Sequence, residues 1–330
     1  MSLAFSLAKP LLHALDAEHA HRLTIQALKH GPQLGKGPIT SPALQRYVFG
    51  LQFPNPIGLA PGFDKNAEVP DAMFAQGFGF VEIGTVTPLA QIGNTRPRLF
   101  RLAEDGGVIN RMGFNNDGHA VVLQRLVARR ARGGILGVNI GANKDSADRI
   151  GDYVKGLQVF EDVASYVTIN ISSPNTPGLR NLQGKQELQH LLEQVNAARK
   201  TKTPLLLKIA PDLSDVDLRD VADVCEGGAV DGVIISNTTL ARDGLSSRHA
   251  IEAGGLSGKP LFERSTLCLT NFYQMTRGKI PLIGVGGIHD AASARAKLAA
   301  GASLVQLYSA LIYQGPALVH EICADLSKGA

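Results

Sequence analysis

Residues 166–180, YVTINISSPNTPGLR, decide the fold and carry a candidate site. The first half is an apolar run with β-branched residues, which predicts a buried strand. The second half is polar and contains two prolines and Gly178, which cannot continue a strand or start a helix directly. The stretch therefore predicts a strand that delivers Asn170 and Ser173 to its carboxyl end and the loop after it.

Apolar runs of this kind recur along the chain. They span residues 56–60, 80–86, 135–141, 166–172, 205–210, 232–238, 282–287 and 304–309. Helical patterns fill several of the gaps, at 187–200, 215–225 and 291–300. Eight strands alternating with helices predict an α/β fold, a (β/α)8 TIM barrel. A doubly wound sheet is the alternative, but it usually has fewer strands and a G-x-G-x-x-G motif near its start, and none follows the first run here.

Two gaps between the predicted strands are not simple helices. Residues 87–117 hold two short apolar runs separated by Glu-Asp-Gly-Gly, which predicts an inserted β-hairpin. Residues 240–265 are glycine-rich at their centre and predict a long loop after the sixth strand. Both insertions follow carboxyl ends of strands, the side of a barrel on which active sites are built.

The N-terminal 31 residues predict two short helices, since leucines recur at every fourth position and Asp16 suits the N-cap of the second. Pro10 is expected in a first helical turn rather than in a helix middle. Residues 31–45 predict a linker. We therefore expect an extension over residues 1–40 and a catalytic barrel over 41–330.

Charge is concentrated in this extension. Residues 1–50 hold five Lys and Arg against two acids, so +3 of the net +4 lies there. The nearly neutral remainder does not indicate a nucleic-acid enzyme, which usually carries a basic stripe on its main domain. A basic amphipathic helix pair suits a membrane surface, and a helical lid packed on the barrel is an equal alternative.

The cysteines and the hydropathy of the chain argue against several further classes of protein. Cys225, Cys268 and Cys323 lie far apart without C-x-x-C spacing, which argues against a disulfide framework, an iron–sulfur cluster or a zinc site and fits a reducing compartment. No apolar run reaches the ~18 residues that span a bilayer. The N-terminus lacks the pattern of a signal peptide.

The predicted strand ends are rich in amides, which offer a donor and an acceptor from one side chain and suit a planar heterocycle or a carboxylate. Lys65 and Lys208 end two apolar strands, and a buried ammonium needs an anionic partner. The two lysines together predict an anionic substrate or an electron-rich ring, although either one alone could be a surface lysine. The loop at Gly286 and Gly287 has a moderately specific glycine pattern that commonly holds a phosphate, and a tight β–α turn is the alternative. Ser173 is a weak base that needs a proton relay and a water-poor setting, and it could instead simply bond the turn.

At this point the chain resembles a family. The segments INISSPNTPGL (169–179), NRMGFNN (110–116), GVNIGANKD (137–145), KIAPDL (208–213), SNTT (236–239), GGLSG (254–258), IGVGGI (283–288) and GASLVQLYS (301–309) are similar to those of quinone-dependent (class 2) dihydroorotate dehydrogenases, in family order. The resemblance implies an FMN enzyme that oxidises (S)-dihydroorotate to orotate in pyrimidine biosynthesis. It implies that Ser173 takes the C5 proton while a hydride passes from C6 to the flavin, and that a membrane quinone reoxidises the flavin.

The resemblance also assigns residues. Substrate contacts carry over to Lys65, Asn110, Arg111, Met112, Gly113, Phe114, Asn170, Asn175, Asn237 and Thr238. FMN contacts carry over to Pro61, Gly62, Phe63, Asp64, Lys65, Thr85, Asn139, Asn170, Lys208, Ser236, Gly258, Gly287, Tyr308 and Ser309. His21, Arg101 and Tyr308 resemble residues of the quinone path. Pro61 departs from the family, where alanine is frequent.

The same resemblance implies a peripheral protein of the cell membrane on its cytoplasmic side, a monomer, with no metal and no nucleic-acid partner. Two other readings of the residues stay open. One is a barrel lyase or isomerase that holds a substrate phosphate at the last two strands, and the other is a flavin- or nucleotide-binding module without turnover.

Overall fold

The computed structural model describes residues 3–32, 35 and 37–328. Its helices are α1 (Leu3–Ala14), α2 (Ala17–His30), α3 (Pro70–Ala75), α4 (Gly118–Arg129), α5 (Arg149–Phe160), α6 (Lys185–Ala198), α7 (Asp215–Val224), α8 (Phe262–Met275), α9 (Ala291–Ala299), α10 (Ser309–Gln314) and α11 (Ala317–Leu326). Its strands are β1 (Arg46–Val48), β2 (Leu51–Phe53), β3 (Ile57–Leu59), β4 (Phe80–Val86), β5 (Leu99–Leu102), β6 (Gly107–Asn110), β7 (Ile135–Ile140), β8 (Tyr166–Asn170), β9 (Leu205–Ile209), β10 (Gly232–Ile235), β11 (Gly255–Gly258), β12 (Leu282–Val285) and β13 (Leu304–Leu307). Residues 33, 34 and 36 of the predicted linker lie outside the described residues, as do the ends of the predicted extension and barrel at 1, 2, 329 and 330.

Eight parallel strands close into a barrel in the order β3-β4-β7-β8-β9-β10-β12-β13, which confirms the predicted (β/α)8 fold. Each predicted apolar run contains one of these strands. Several strands end before their predicted limit, because the last residues of the run turn out of the sheet. The run at 232–238 stops pairing after Ile235, and Ser309 at the end of the last run begins α10 instead.

The barrel interior is filled at the amino ends of the strands. Phe80, Tyr166 and Leu206 are fully buried there together with Phe53 from the β1–β2 hairpin. The rings of Phe53 and Phe80 meet edge to face with centroids 5.2 Å apart. Strands buried on both faces are apolar throughout, which is why they were readable from the sequence. This packing leaves only the carboxyl ends of the strands open.

The two insertions form one small sheet. β5 and β6 make the predicted hairpin, and β11 pairs antiparallel with β6, with Gly255 opposite Asn110. The sequence predicted only a loop over 240–265, and this was wrong for β11. A four-residue strand with two glycines has no strand pattern of its own, and its partner lies 145 residues away.

The N-terminal helices pack against this sheet. Asp16 caps α2 by accepting a hydrogen bond from the backbone N–H of His19 at 2.9 Å. Pro10 lies inside α1, contrary to the expectation of a first-turn position. Arg101 anchors the end of this helix by donating to the carbonyls of Leu12 and His13 at 2.8 and 3.2 Å. Within the described residues, no helix is both long and apolar enough to cross a membrane.

Candidate functional site

An open cavity of about 1270 Å³, including its mouth, lies over the carboxyl ends of the barrel strands. The structure brings most of the predicted site residues together on its wall: His21, Pro61, Gly62, Lys65, Thr85, Asn110, Met112, Gly113, Phe114, Asn170, Ser173, Asn175, Lys208, Ser236, Asn237, Thr238, Gly258, Gly287, Tyr308 and Ser309. They come from all parts of the chain between α2 and α10. A concave site lined by convergent polar side chains is a candidate binding site for a small-molecule ligand.

Five predicted residues do not line this open cavity. Phe63 and Arg101 face a second, apolar cavity. The Asp64 carboxylate is buried and accepts hydrogen bonds from the backbone N–H groups of residues 66, 68 and 69. Arg111 pairs with Glu252 at 2.7 Å and stacks on Phe100, so its side chain points away.

Asn139, the fifth, lies beneath the wall in a buried hydrogen-bond network. Its amide donates to the Glu82 carboxylate at 2.8 Å, and Tyr166 and Gln306 donate to the same carboxylate at 3.0 and 2.7 Å. Since the Asn139 amide nitrogen faces Glu82, the Asn139 amide oxygen faces the other way. There it accepts from Thr85 at 2.6 Å and from Asn170 at 3.0 Å.

The network continues to the loop after β8. The Asn170 oxygen accepts from the Ser172 hydroxyl at 3.1 Å and from the Asn237 amide at 3.2 Å, and Asn237 also donates to Ser172 at 3.0 Å. Asn170 therefore sits in one orientation, held from below by Asn139 and from the side by Asn237. A chain of oriented amides of this kind presents a rigid polar surface to a planar ligand.

Of the two lysines of the cavity, Lys208 is buried and Lys65 is partly exposed. Burial lowers the pKa of Lys208, and the carboxylate of Glu82 opposes this. The pKa of Lys65 is lowered to about 8 by burial and by the nearby charge of Arg98, against the opposing charges of Glu18 and Asp64. Its ammonium donates to the Gly62 carbonyl at 2.8 Å. Both lysines gain stability as cations when an anion enters the cavity.

Ser173 is the hydroxyl of the loop that reaches the open cavity, while Ser172 is turned into the amide network. Arg180 holds this loop by donating to the Ser172 carbonyl at 3.0 Å and to the Thr238 carbonyl at 2.9 Å. Arg180 also pairs with Asp212 at 2.9 Å. Sequence reasoning missed Arg180 as a functional residue, although it ends the stretch quoted at the outset.

At the opposite side of the open cavity, backbone groups come close to the space. Gly287 has φ of 77°, and a Cβ there would lie 2.4 Å from Phe262. Gly258 has φ of 88°, and a Cβ there would lie 2.5 Å from the Gly106 carbonyl oxygen. The Ser309 hydroxyl donates to Ser257 at 2.8 Å. Two glycines and two hydroxyls make a small polar cradle suited to a phosphate.

The apolar cavity, of about 970 Å³, lies between α1, α2 and the barrel. Phe5, Leu12, Ala20, Leu28, Phe63, Met73 and Leu311 line it, and His21, Tyr308, Leu99, Val108 and Ile312 line both cavities. The His21 ring packs edge to face on Phe63 with centroids 5.4 Å apart. Its pKa is lowered to about 4, first by burial and then by the charge of Lys65. His21 is therefore neutral at physiological pH.

Comparison with known proteins gives consistent similarities. Residues 43–329 match the family model described as dihydroorotate dehydrogenase. A Parvibaculum lavamentivorans protein named dihydroorotate dehydrogenase (quinone) is 60% identical over 328 residues, covering 98% of this chain and 93% of its own. A Bradyrhizobium protein of the same name is 57% identical over 330 residues, covering 98% and 90%. The crystal structure of DHODH from Eimeria tenella in complex with ferulenol has a TM-score of 0.91 and 38% identity, covering 97% and 96%.

Proposed function

Since the chain belongs to the quinone-dependent dihydroorotate dehydrogenases, we propose that the open cavity holds FMN and dihydroorotate and that the apolar cavity holds the quinone. The protein oxidises dihydroorotate to orotate in pyrimidine biosynthesis with a quinone as acceptor, and its family is flavin-dependent. The observation that carries the assignment of the cavity is the convergence of Ser173, Lys208 and the amide network on one space.

The open cavity fits the flavin on its own features. The side-chain oxygens of Gln306 and Thr238 are buried without a hydrogen-bond partner among the described residues, and both residues line the open cavity. An imide ring supplies N–H groups to such oxygens. When bound, FMN supplies the acceptor for the hydride that leaves the substrate. The residues proposed to hold it directly are Pro61, Gly62, Lys65, Thr85, Asn170, Lys208, Ser236, Gly258, Gly287, Tyr308 and Ser309.

Three further residues of the proposed FMN set act from behind the wall. Asn139 orients Thr85 and Asn170 through the bonds described above. Asp64 fixes the strand-end turn by accepting from backbone N–H groups. Phe63 packs against Tyr308 with ring centroids 5.6 Å apart. When protonated, Lys208 would stabilise the negative charge that the flavin gains on reduction.

Dihydroorotate is an anionic imide, and the remaining wall matches that chemistry. Lys65 meets the carboxylate, and the amides of Asn110, Asn170, Asn175 and Asn237 with the hydroxyl of Thr238 orient the ring. Met112, Gly113 and Phe114 complete this part of the wall, whereas the Arg111 guanidinium is held by Glu252. Ser173 takes the C5 proton while its own hydroxyl proton passes to a relay group, in a space from which bound ligands exclude water.

The apolar cavity suits the isoprenoid tail and ring of a quinone because its lining is almost entirely hydrocarbon and aromatic. His21 and Tyr308 lie where the two cavities adjoin, so they are placed to contact the quinone and the flavin. Arg101 lines the apolar cavity too, although its guanidinium is engaged by carbonyls of α1.

The extension is proposed to rest on the membrane surface from which the quinone enters. Leu7 and Leu11 of α1 are 69% and 73% exposed, and Lys9 and Arg22 add positive charge nearby in the sequence. Apolar side chains with cations suit a headgroup layer. We propose a peripheral monomer on the cytoplasmic side, with the extension over residues 1–40 and the barrel over 41–330.

Anaerobic mixing with dihydroorotate tests the proposal. The purified protein should be yellow, its flavin absorbance should bleach on mixing, and a quinone should restore the colour faster than fumarate or NAD. A colourless protein would favour the barrel lyase or isomerase, and a coloured protein that does not bleach would favour a binding module without turnover.

A further inference from the structure

One carboxylate of the N-terminal extension is buried against the barrel's inserted sheet. Glu18 of α2 is 7% exposed and accepts two hydrogen bonds from Arg98, at 3.0 Å from Nε and 2.8 Å from Nη2. Arg96 donates to it as well, at 2.8 Å. Burial alone would raise the pKa of Glu18, but the two arginines outweigh it and hold the pKa below its usual value. Glu18 is therefore a fixed negative charge.

Arg98 connects Glu18 to the loop before β5. It is 5% exposed, and its second terminal nitrogen donates to the carbonyls of Ile92 and Asn94 at 2.6 and 2.8 Å. Within the described residues, Glu18 is the acid that pairs with Arg98. Loss of that partner would leave a buried guanidinium uncompensated, which is strongly unfavourable. The segment 92–94 would have to move so that water could reach it.

Asn94 connects the same segment to the substrate side of the open cavity. Its backbone N–H donates to the Met112 carbonyl at 3.0 Å. Its side-chain amide donates to the carbonyls of Arg111 and Asn175, both at 3.1 Å. Asn175 follows Ser173 by two residues, and Met112 lies in the proposed substrate segment. Two side chains thus separate Glu18 on α2 from the loop that carries Ser173.

We propose that Glu18 and Arg98 are positioning residues through which α2 holds segment 110–114 and the Ser173 loop in the geometry that binds dihydroorotate. The extension then serves the substrate half of the reaction as well as the quinone half. This inference rests on the proposed function, since it takes the open cavity as the dihydroorotate site.

The test compares Glu18→Gln with Lys29→Gln in the flavin-loaded protein. Lys29 is a matched control because it also ties α2 to the barrel, through a partly exposed ion pair with Glu68 at 2.9 Å, and Glu68 lies outside segment 92–98. Calorimetric titration should show orotate dissociation constants raised about fivefold or more in Glu18→Gln and unchanged in Lys29→Gln. Two quantities describe flavin bleaching: its limiting rate, and the dihydroorotate concentration that gives half of that rate. In Glu18→Gln the limiting rate should change by a smaller factor than this concentration.

A double-mutant cycle with Asn94→Ala separates positioning from a general loss of stability. Both changes act on one chain of contacts, so their effects on the orotate dissociation constant should be non-additive. Additive effects, or a Glu18→Gln protein that binds orotate like the wild type, would overturn the inference. If Glu18→Gln does not fold, unchanged orotate binding in Asn94→Ala overturns it instead. A wild type that neither bleaches nor binds orotate would refute the proposed function itself.

Discussion

The backbone N–H of Asn175 donates a hydrogen bond to the hydroxyl oxygen of Ser173 at 3.3 Å. The Asn175 side chain turns the other way and donates to the Asn110 amide oxygen at 3.2 Å. To act as a base, the Ser173 oxygen must become negatively charged. An N–H group that already points at this oxygen stabilises that charge. The same asparagine therefore supports Ser173 with its backbone and the proposed substrate site with its side chain.

Ser173→Ala should slow flavin reduction by dihydroorotate at least ~100-fold, the lower range for loss of a general base. Stopped-flow absorbance under anaerobic conditions measures this rate. Orotate binding should change little, since the substrate's polar contacts come from Lys65 and the amides. A variant that reduces the flavin at a near-normal rate would refute the role of Ser173, and equal losses in rate and in orotate binding would indicate a collapsed loop.

Orotate binding should weaken as the pH rises above about 8, the pKa of Lys65 before the anion binds. The sign follows from linkage: a carboxylate raises the pKa of Lys65, so above pH 8 the complex holds a proton that the free protein has lost. The affinity should fall by up to about tenfold per pH unit between pH 8 and 9 and stay level from 7 to 7.5. Calorimetry across this range measures it. In Lys65→Gln, orotate binding should be weaker than in the wild type and should not change over this pH range. If wild-type binding does not change with pH either, Lys65 is not the residue that meets the carboxylate.

The barrel could be predicted from the sequence because each of its strands is buried on both faces and is a local apolar run. The small sheet could be predicted only in part. The β5–β6 hairpin is local, whereas β11 gains its identity from pairing with β6 far away in the chain. The β1–β2 hairpin that closes the barrel floor was not assigned for a similar reason, since each of its strands has three residues.

The wall of the site was accessible to sequence reasoning through strand ends and through family resemblance. The residues that hold this wall in place could not be found from the sequence. Glu82 sits inside an apolar run, and only the structure shows three donors converging on its carboxylate. Arg98 and Asn94 lie in the loop before β5, and their contacts with Glu18 and Asn175 join parts of the chain that are about 80 residues apart. No local spacing marks such residues, because their function depends on tertiary contacts.

Membrane contact should depend on the exposed face of α1. The double change Leu7→Gln and Leu11→Gln should lower binding to vesicles of mixed anionic and zwitterionic lipid at least about tenfold, because two apolar side chains lose their burial in the headgroup layer. Flotation measures the bound fraction, and bleaching by dihydroorotate should be unaffected. The control is Val216→Gln with Leu267→Gln, equally exposed residues of α7 and α8. If both pairs reduce binding alike, α1 is not the membrane contact.

Lys297 of α9 should make stability depend on pH. Its side chain is fully buried, donates to the Ser265 hydroxyl at 2.6 Å, and has its pKa lowered to about 7, chiefly by burial. An unfolded chain keeps this proton up to about 10.5, so between pH 7 and 9 the unfolded state binds more protons and stability rises with pH. The wild type should gain up to about 1.4 kcal/mol per pH unit relative to Lys297→Met, measured by urea unfolding of the flavin-loaded protein. Below pH 6 the lysine is protonated in both states, so the difference between the two proteins should become constant there. A difference that stays constant from pH 7 to 9 as well would show that the ammonium is not destabilised by its burial.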